Sequence, residues 1–192
     1  MLHKTVITSL LVSLLTIFAA CGGRLYKVAP LPASAPPGIS TNNAGGLNIG
    51  AVALNGEQSY ERFEANLPLA GVIAVDVRMT NRSDVTIRSA SLRFDLRDAA
   101  GAILKRLAPK KALGSVMKYY GNSFYAKAAY RRTLEDYESV ALKQDSEIEP
   151  GGELRGIVFF QTKRETQSVD GLILSVAGLT APVNLQLRTA RN

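Results

Sequence analysis

The sequence predicts a mainly β protein, a two-sheet antiparallel sandwich interrupted by one helical insertion. Three observations lead there. About seven short apolar segments are separated by turns rich in Gly, Pro, Asn and Asp. Within them Leu92, Phe94 and Leu96 alternate with Arg93, Asp95 and Arg97, the period of two that turns one strand face to a core and the other to water. Pro109 to Lys143 breaks that pattern and adopts helical spacing instead.

The chain opens with a leader, residues 1–20. His3 and Lys4 precede an apolar run from Val6 to Phe18, followed by Ala19-Ala20-Cys21-Gly22-Gly23. A positive start, about 13 apolar residues and a small-residue end make a secretory signal peptide, too short for the roughly 18 residues of a spanning helix. Phe18-Ala19-Ala20-Cys21 resembles the lipobox of bacterial lipoproteins, with Phe18 in the slot that family usually fills with leucine. The resemblance implies cleavage before Cys21 and a diacylglyceryl group on its sulfur. Cys21 would then be the acylated first residue of the mature protein, its fatty chains (palmitate among them) holding it in a membrane. If sorting is Gram-negative, Gly22 after the cysteine is similar to an outer-membrane signal, which implies a domain facing the periplasm. Cys21 is also the chain's one cysteine, and acylation removes an otherwise reactive exported thiol.

Residues 21–46 read as a lipidated N-terminus and linker. Ala29-Pro30-Leu31-Pro32 and Ala35-Pro36-Pro37-Gly38 favour extended polyproline-like backbone, and Thr41-Asn42-Asn43-Ala44-Gly45-Gly46 adds flexibility. Such a tether would hold the domain, residues 47–192, away from the bilayer.

Leu47 to Leu54 is the first expected strand, ended by Asn55-Gly56. Glu57 to Asn66 predicts a brief helix with Tyr60, Phe63 and Leu67 turned inward. Val72 to Met79 is a strand that alternates only in its second half and stops at the polar turn Asn81-Arg82-Ser83-Asp84. Val85 to Leu96 predicts one long strand, and Asp98-Ala99-Ala100-Gly101 a hairpin back into Ala102-Ile103-Leu104. Beyond the insertion, Glu149-Pro150-Gly151-Gly152 turns into Leu154 to Phe160. Leu172 to Val176 and Val183 to Leu187 complete the set, divided by Gly178 to Pro182. This succession of strands and turns resembles immunoglobulin-like domains of bacterial envelope lipoproteins, over roughly residues 47–107 and 148–187. The resemblance implies an immunoglobulin-like sandwich and carries no catalytic residue with it.

The insertion, residues 109–143, predicts two helices, Ala112 to Tyr120 and Ser123 to Leu142, broken at Gly121-Asn122 and with Ser123 as N-cap. In the second, Tyr130, Leu134, Tyr137 and Ala141 form one stripe, while Lys127, Arg131 and Arg132 form a basic, solvent-facing side. Five of the seven tyrosines fall here: Tyr119, Tyr120, Tyr125, Tyr130 and Tyr137. A tyrosine joins an apolar ring to a polar tip, which suits interfaces and glycan sites. Tyr119, Tyr120, Tyr125, Arg131 and Arg132 are therefore the candidate partner-binding residues, and Tyr130 and Tyr137 the core contribution.

Composition narrows the chemistry. His3, the only histidine, leaves with the leader and Cys21 is taken by lipid, so Ser-His-Asp and Cys-His catalysis and the usual zinc ligands are excluded. Glu135-Asp136-Glu138 and Asp145-Glu147-Glu149 lack calcium-loop spacing and read as solvated faces. No catalytic residue, metal site or cofactor is expected. Loss of Lys4 with the leader leaves a net charge near +6, dispersed rather than in a dense tract, which suits anionic envelope partners and argues against nucleic acid. The expected role is a non-catalytic binding or assembly module for another envelope protein or a cell-wall polymer. A carboxylate-dependent glycan hydrolase and a purely structural lipoprotein are the competing expectations.

Overall fold

The computed structural model describes residues 23–36, 38–162 and 168–188. The expected leader and Cys21 lie outside them. Ten strands carry the fold: β1 (Ser40–Ala44), β2 (Leu47–Ala53), β3 (Val72–Asn81), β4 (Ile87–Arg88), β5 (Arg93–Arg97), β6 (Ile103–Leu107), β7 (Glu147–Ile148), β8 (Glu153–Gln161), β9 (Ile173–Ala177) and β10 (Val183–Gln186). Among the described residues three α-helices join them: α1 (Gly56–Phe63), α2 (Pro109–Tyr119) and α3 (Lys127–Val140). The chain is mainly β and antiparallel, with the helical pair between β6 and β7.

Eight strands form one sheet in the order β1-β2-β3-β8-β6-β5-β9-β10, curled nearly into a barrel. The curl turns on β6, which divides its hydrogen bonds. Ile103 and Leu104 pair with β5, whereas Lys105 to Leu107 pair with Gln161 to Phe159 of β8. At the two ends of the sheet β1 and β10 meet through side chains, Ser40 Oγ donating to the Gln186 carbonyl at 2.6 Å and Asn42 Nδ2 to that of Asn184 at 3.3 Å.

Inside the curl, alternate residues of the strands make one core: Leu47 and Ile49, Ile73 to Met79, Phe94 and Leu96, Val158 and Phe160, Leu174 and Val176, Val183 and Leu185. A second core lies on the outer face of β3 and β8. There Val72, Ala74, Ile157 and Phe159 meet Phe63 and Leu67, Leu113 and Val116 of α2, and Tyr137 and Val140 of α3. This explains why β3 alternates only in part. Its first half is apolar on both faces because helices cover the outer one, as in any strand between two layers. Beyond Ala74 the outward positions become Asp76, Arg78 and Thr80.

Four expectations are corrected. The long strand over Val85 to Leu96 is broken by a 3₁₀ turn, Ser89–Ser91. Ser89 is buried there: its amide donates to the Ser146 carbonyl at 2.8 Å, and its hydroxyl accepts the Ser146 amide at 2.9 Å and donates to the Lys143 carbonyl at 3.1 Å, which ties the turn to the segment ahead of β7. Tyr60 points outward, 60% exposed, because the inward face of α1 is taken by Ser59 and Phe63. Ser123 is not a helix cap, since α3 starts after Ala126. The buried stripe of α3 is Ala129, Thr133, Tyr137 and Val140, one residue round from the expected one, with Tyr130 and Leu134 half-buried. Thr133 is the reason: its hydroxyl accepts the Leu25 amide at 2.8 Å and donates to the Ala129 carbonyl at 3.0 Å.

The fifth correction is the linker. Residues 40–44 are β1, and Gly45 and Gly46, both at positive φ, form the tight turn of the β1–β2 hairpin. Ahead of β1, Tyr26 is buried in the outer core, and the Ala29 amide donates to the Arg62 carbonyl at 2.7 Å. The segment is a strap lying on the domain.

Where the strand β8 passes the end of α3, Ala141 bridges to Ile157 and the Leu142 amide donates to the Ile157 carbonyl at 2.9 Å. Gly156 permits this crossing. A Cβ there would lie 2.3 Å from Leu142 Cα and 2.5 Å from its nitrogen. Gly156→Ala is therefore expected to cost roughly 2–4 kcal/mol in urea unfolding. Tyr26→Ala, which empties a core position of the strap, is expected to cost about 3 kcal/mol; a loss under about 0.5 kcal/mol, the range of a surface substitution, would show the strap to be detached.

Candidate functional site

The strap follows one face of the molecule. Arg24 forms an ion pair with Asp136 of α3, Leu25 bonds to Thr133, and the Lys27 amide donates to Glu64 Oε2 at 3.0 Å. Glu64 is the C-cap of α1 and holds a left-handed conformation (φ +49°), unusual for a residue with a side chain. Further on, three arginines, Arg62 of α1 and Arg78 and Arg155 of the outer sheet face, donate to strap carbonyls. Arg62 Nη1 reaches Pro30 at 3.3 Å and Arg78 Nη2 reaches Ala33 at 3.0 Å. Arg155 bonds to both Pro32 and Ala33. Proline-rich extended backbone makes no internal hydrogen bonds, so its carbonyls are free to serve as acceptors for these guanidinium groups.

Arg78 and Arg155 sit directly opposite each other in the β3–β8 register, a repulsive arrangement by itself. Glu153 offsets it, with Oε1 3.3 Å from Arg78 Nε and 3.7 Å from Arg155 Nε. Asp76 is buried beside them, and its Oδ2 has no hydrogen-bond partner. Burial pushes its carboxyl above the ordinary value, an effect that outweighs the pull of Arg62, Arg155 and Arg78. The arginines direct their N–H groups to the strap, so the attraction stays at a distance.

The tyrosines gather at the loop between α2 and α3. Tyr119 and Tyr120 meet edge-to-face with centroids 5.0 Å apart, and Tyr120 lies 6.1 Å from Tyr26 of the strap. Tyr120 Oη accepts the Asn66 amide at 2.9 Å, and Asn122 donates to Tyr26 Oη. Tyr125 stacks on Tyr130 at 5.4 Å. Tyr119, Tyr120 and Tyr125 keep 39%, 42% and 44% of their surface exposed. Arg131 and Arg132 are exposed in the second turn of α3.

Phe124 was not among the expected residues, yet it is 99% exposed at the tip of that loop. An aromatic amid Gly121-Asn122-Ser123 was the available signal, because such a turn offers nothing to bury it. From Ala99 to Leu134 the chain carries eight basic residues and no acidic one, and four of them, Lys118, Lys127, Arg131 and Arg132, lie next to this loop. Tyr137, in contrast, is fully buried. Its ring meets Phe63 and Phe159 at 5.0 and 5.8 Å, its hydroxyl has no hydrogen-bond partner, and burial raises its pKa.

A second surface feature is the seam between β1 and β10. The two strands are the ends of the sheet, and among the described residues no backbone ladder joins them. They line a groove of about 390 Å³ with Ile39, Ser40, Thr41, Asn184 and Gln186.

No protein-family model and no curated protein sequence matches the chain. Two solved structures are similar to it. One is the yjhA protein from Bacillus subtilis, 12% identical, with a TM-score of 0.42, over 77% of this chain and 96% of that one. The other is a conserved hypothetical protein from Bacillus anthracis, 14% identical, with a TM-score of 0.37, over 77% and 92%. Both are too distant to bear on function.

The raised pKa of Asp76 has a sign that can be checked. The folded chain holds this proton more tightly than the unfolded one, so the contribution of Asp76 to stability falls as pH rises from 3.8 through the folded value. Below that window both states are protonated and the contribution is flat. Asp76→Asn is expected to remove the decline, so that variant minus wild-type unfolding free energy climbs across the window; a flat difference would contradict the burial argument.

Proposed function

We propose that the chain is a lipid-anchored cell-envelope protein whose domain is a non-catalytic binding module for an extended segment of another envelope protein. The observation that carries the binding role is the β1–β10 seam. Edge strands expose unpaired N–H and C=O groups that would template an added strand, and a groove beside them supplies room for alternate side chains. The side-chain bonds from Ser40 and Asn42 hold the two edges near each other without saturating either. The lipobox-like leader and Cys21 support the anchoring half of the reading. A cell-wall polymer is the other partner class that the positive surface supports.

The split pairing of β6 supports a finer reading of the fold as an immunoglobulin-like sandwich whose two layers remain joined at that strand. In such domains edge strands are the usual place where a further strand is added, in keeping with the seam as the binding element.

The anchor is tested by replacing Cys21 with serine and fractionating cells, with the expected outcome that the variant leaves the membrane fraction. The binding role is tested by placing a photoreactive residue at exposed Thr41 in the seam and, as a control, at Val85. Specific protein adducts at Thr41 alone are expected. Adducts at neither position, or equally at both, would remove the seam as the binding element.

A further inference from the structure

The packed strap changes where the anchor must lie. Gly23 is two residues from Cys21, and a fully extended chain gains at most about 3.6 Å per residue, so the Cα of Cys21 is held within about 7 Å of that of Gly23. Arg24, Leu25 and Tyr26 are in turn fixed against Asp136, Thr133, Tyr120 and Asn122. An acylated Cys21 therefore leaves the domain no slack. The face along which the strap starts, formed with α3 and the α2–α3 loop, is then the one turned towards the membrane.

That face has the composition a bilayer surface would recognise. Phe124 is wholly exposed and flanked by the half-exposed Tyr119, Tyr120 and Tyr125, and aromatic side chains of this kind concentrate where hydrocarbon meets headgroups. Lys118 and Lys127 border the loop and are exposed, with Arg131 and Arg132 one turn beyond. Of the acids on this face, Asp136 pairs with Arg24 and Glu64 accepts the Lys27 amide, while Glu135 and Glu138 are exposed further along α3 than Lys127, Arg131 and Arg132. Basic side chains beside an acyl anchor add to its hold on anionic lipid.

We propose that the aromatic end of the helical pair seats in the anionic headgroup region of the leaflet that holds Cys21, fixing the orientation of the domain on the membrane. Phe124 is the inserted side chain, Tyr119, Tyr120 and Tyr125 lie at the level of the headgroups, and Lys118 and Lys127 contact lipid phosphates. The assignment rests on the lipid-anchor reading and supplies a role for the tyrosines that the seam does not use.

The chain contains no tryptophan, so one introduced residue reports without background. Full-length, acylated Phe124→Trp and Val85→Trp variants are reconstituted in vesicles of phosphatidylcholine and phosphatidylglycerol containing lipids brominated along the acyl chain. Both sites are exposed, so neither substitution disturbs the core, and Val85 follows the far end of β3, a strand about 30 Å long. Sedimentation with the vesicles is expected for both. A blue shift and loss of emission are expected for Phe124→Trp only, and both are expected to weaken in vesicles of phosphatidylcholine alone or when Lys118→Glu and Lys127→Glu are added. A chain that sediments with unquenched Phe124→Trp emission, or with equal quenching at both positions, overturns the seating while leaving the anchor intact. Quenching that ignores phosphatidylglycerol overturns the assignment to anionic lipid. A chain that stays in the supernatant refutes the lipid anchor, and the seating with it.

Discussion

The structure depends on covering both faces of its two central strands. β3 and β8 pair along their whole length, with the barrel core on one side and a second layer on the other. That second layer changes character partway along. Over Val72, Ala74, Ile157 and Phe159 it is apolar and made of helices, where burial alone suffices. Over Asp76, Arg78 and Arg155 it is the strap, whose carbonyls take up guanidinium N–H groups that would otherwise be left without partners. An apolar cover there would bury charge uncompensated, which is costly; a helix or strand would have its carbonyls already engaged. Extended proline-rich backbone meets both requirements.

The same contacts decide what a lipid at Cys21 would do. A free segment of some 25 residues would let the domain drift tens of ångströms from a bilayer. A strap whose first described residues bond to α3 lets it drift hardly at all. The tyrosines near Tyr26 then belong to the region closest to the anchor, and the seam between β1 and β10 is the part of the sheet left with open hydrogen-bonding edges. In the proposed reading, where the chain enters the fold would give these two surfaces different tasks.

Much of the β architecture was legible in the sequence because alternation reports burial one residue at a time. Leu92 to Arg97 and the Asp98–Gly101 hairpin were placed by pattern and turn chemistry. The strap was not legible, because its partners are far away in sequence: Arg78 and Arg155 meet it only once β3 and β8 are paired, and Arg62 only once α1 is packed. Gly45-Gly46 was read as flexible, though two adjacent glycines at positive φ between paired strands also make a hairpin turn. Thr133 lies outside the expected apolar stripe, and the Leu25 amide bonded to its hydroxyl accounts for its burial. Of the candidate site, the three exposed tyrosines were visible from their crowding. Phe124 was missed because a single aromatic has no periodicity to betray which way it points.

Amide hydrogen exchange in the folded, full-length chain tests the docking of the strap most directly. The Leu25 and Ala29 amides donate to Thr133 and to the Arg62 carbonyl, and their protection is predicted to match that of amides within α3. Exchange at the rate of an open, unstructured segment at both positions would contradict the account, because the domain would then hang from a loose leash.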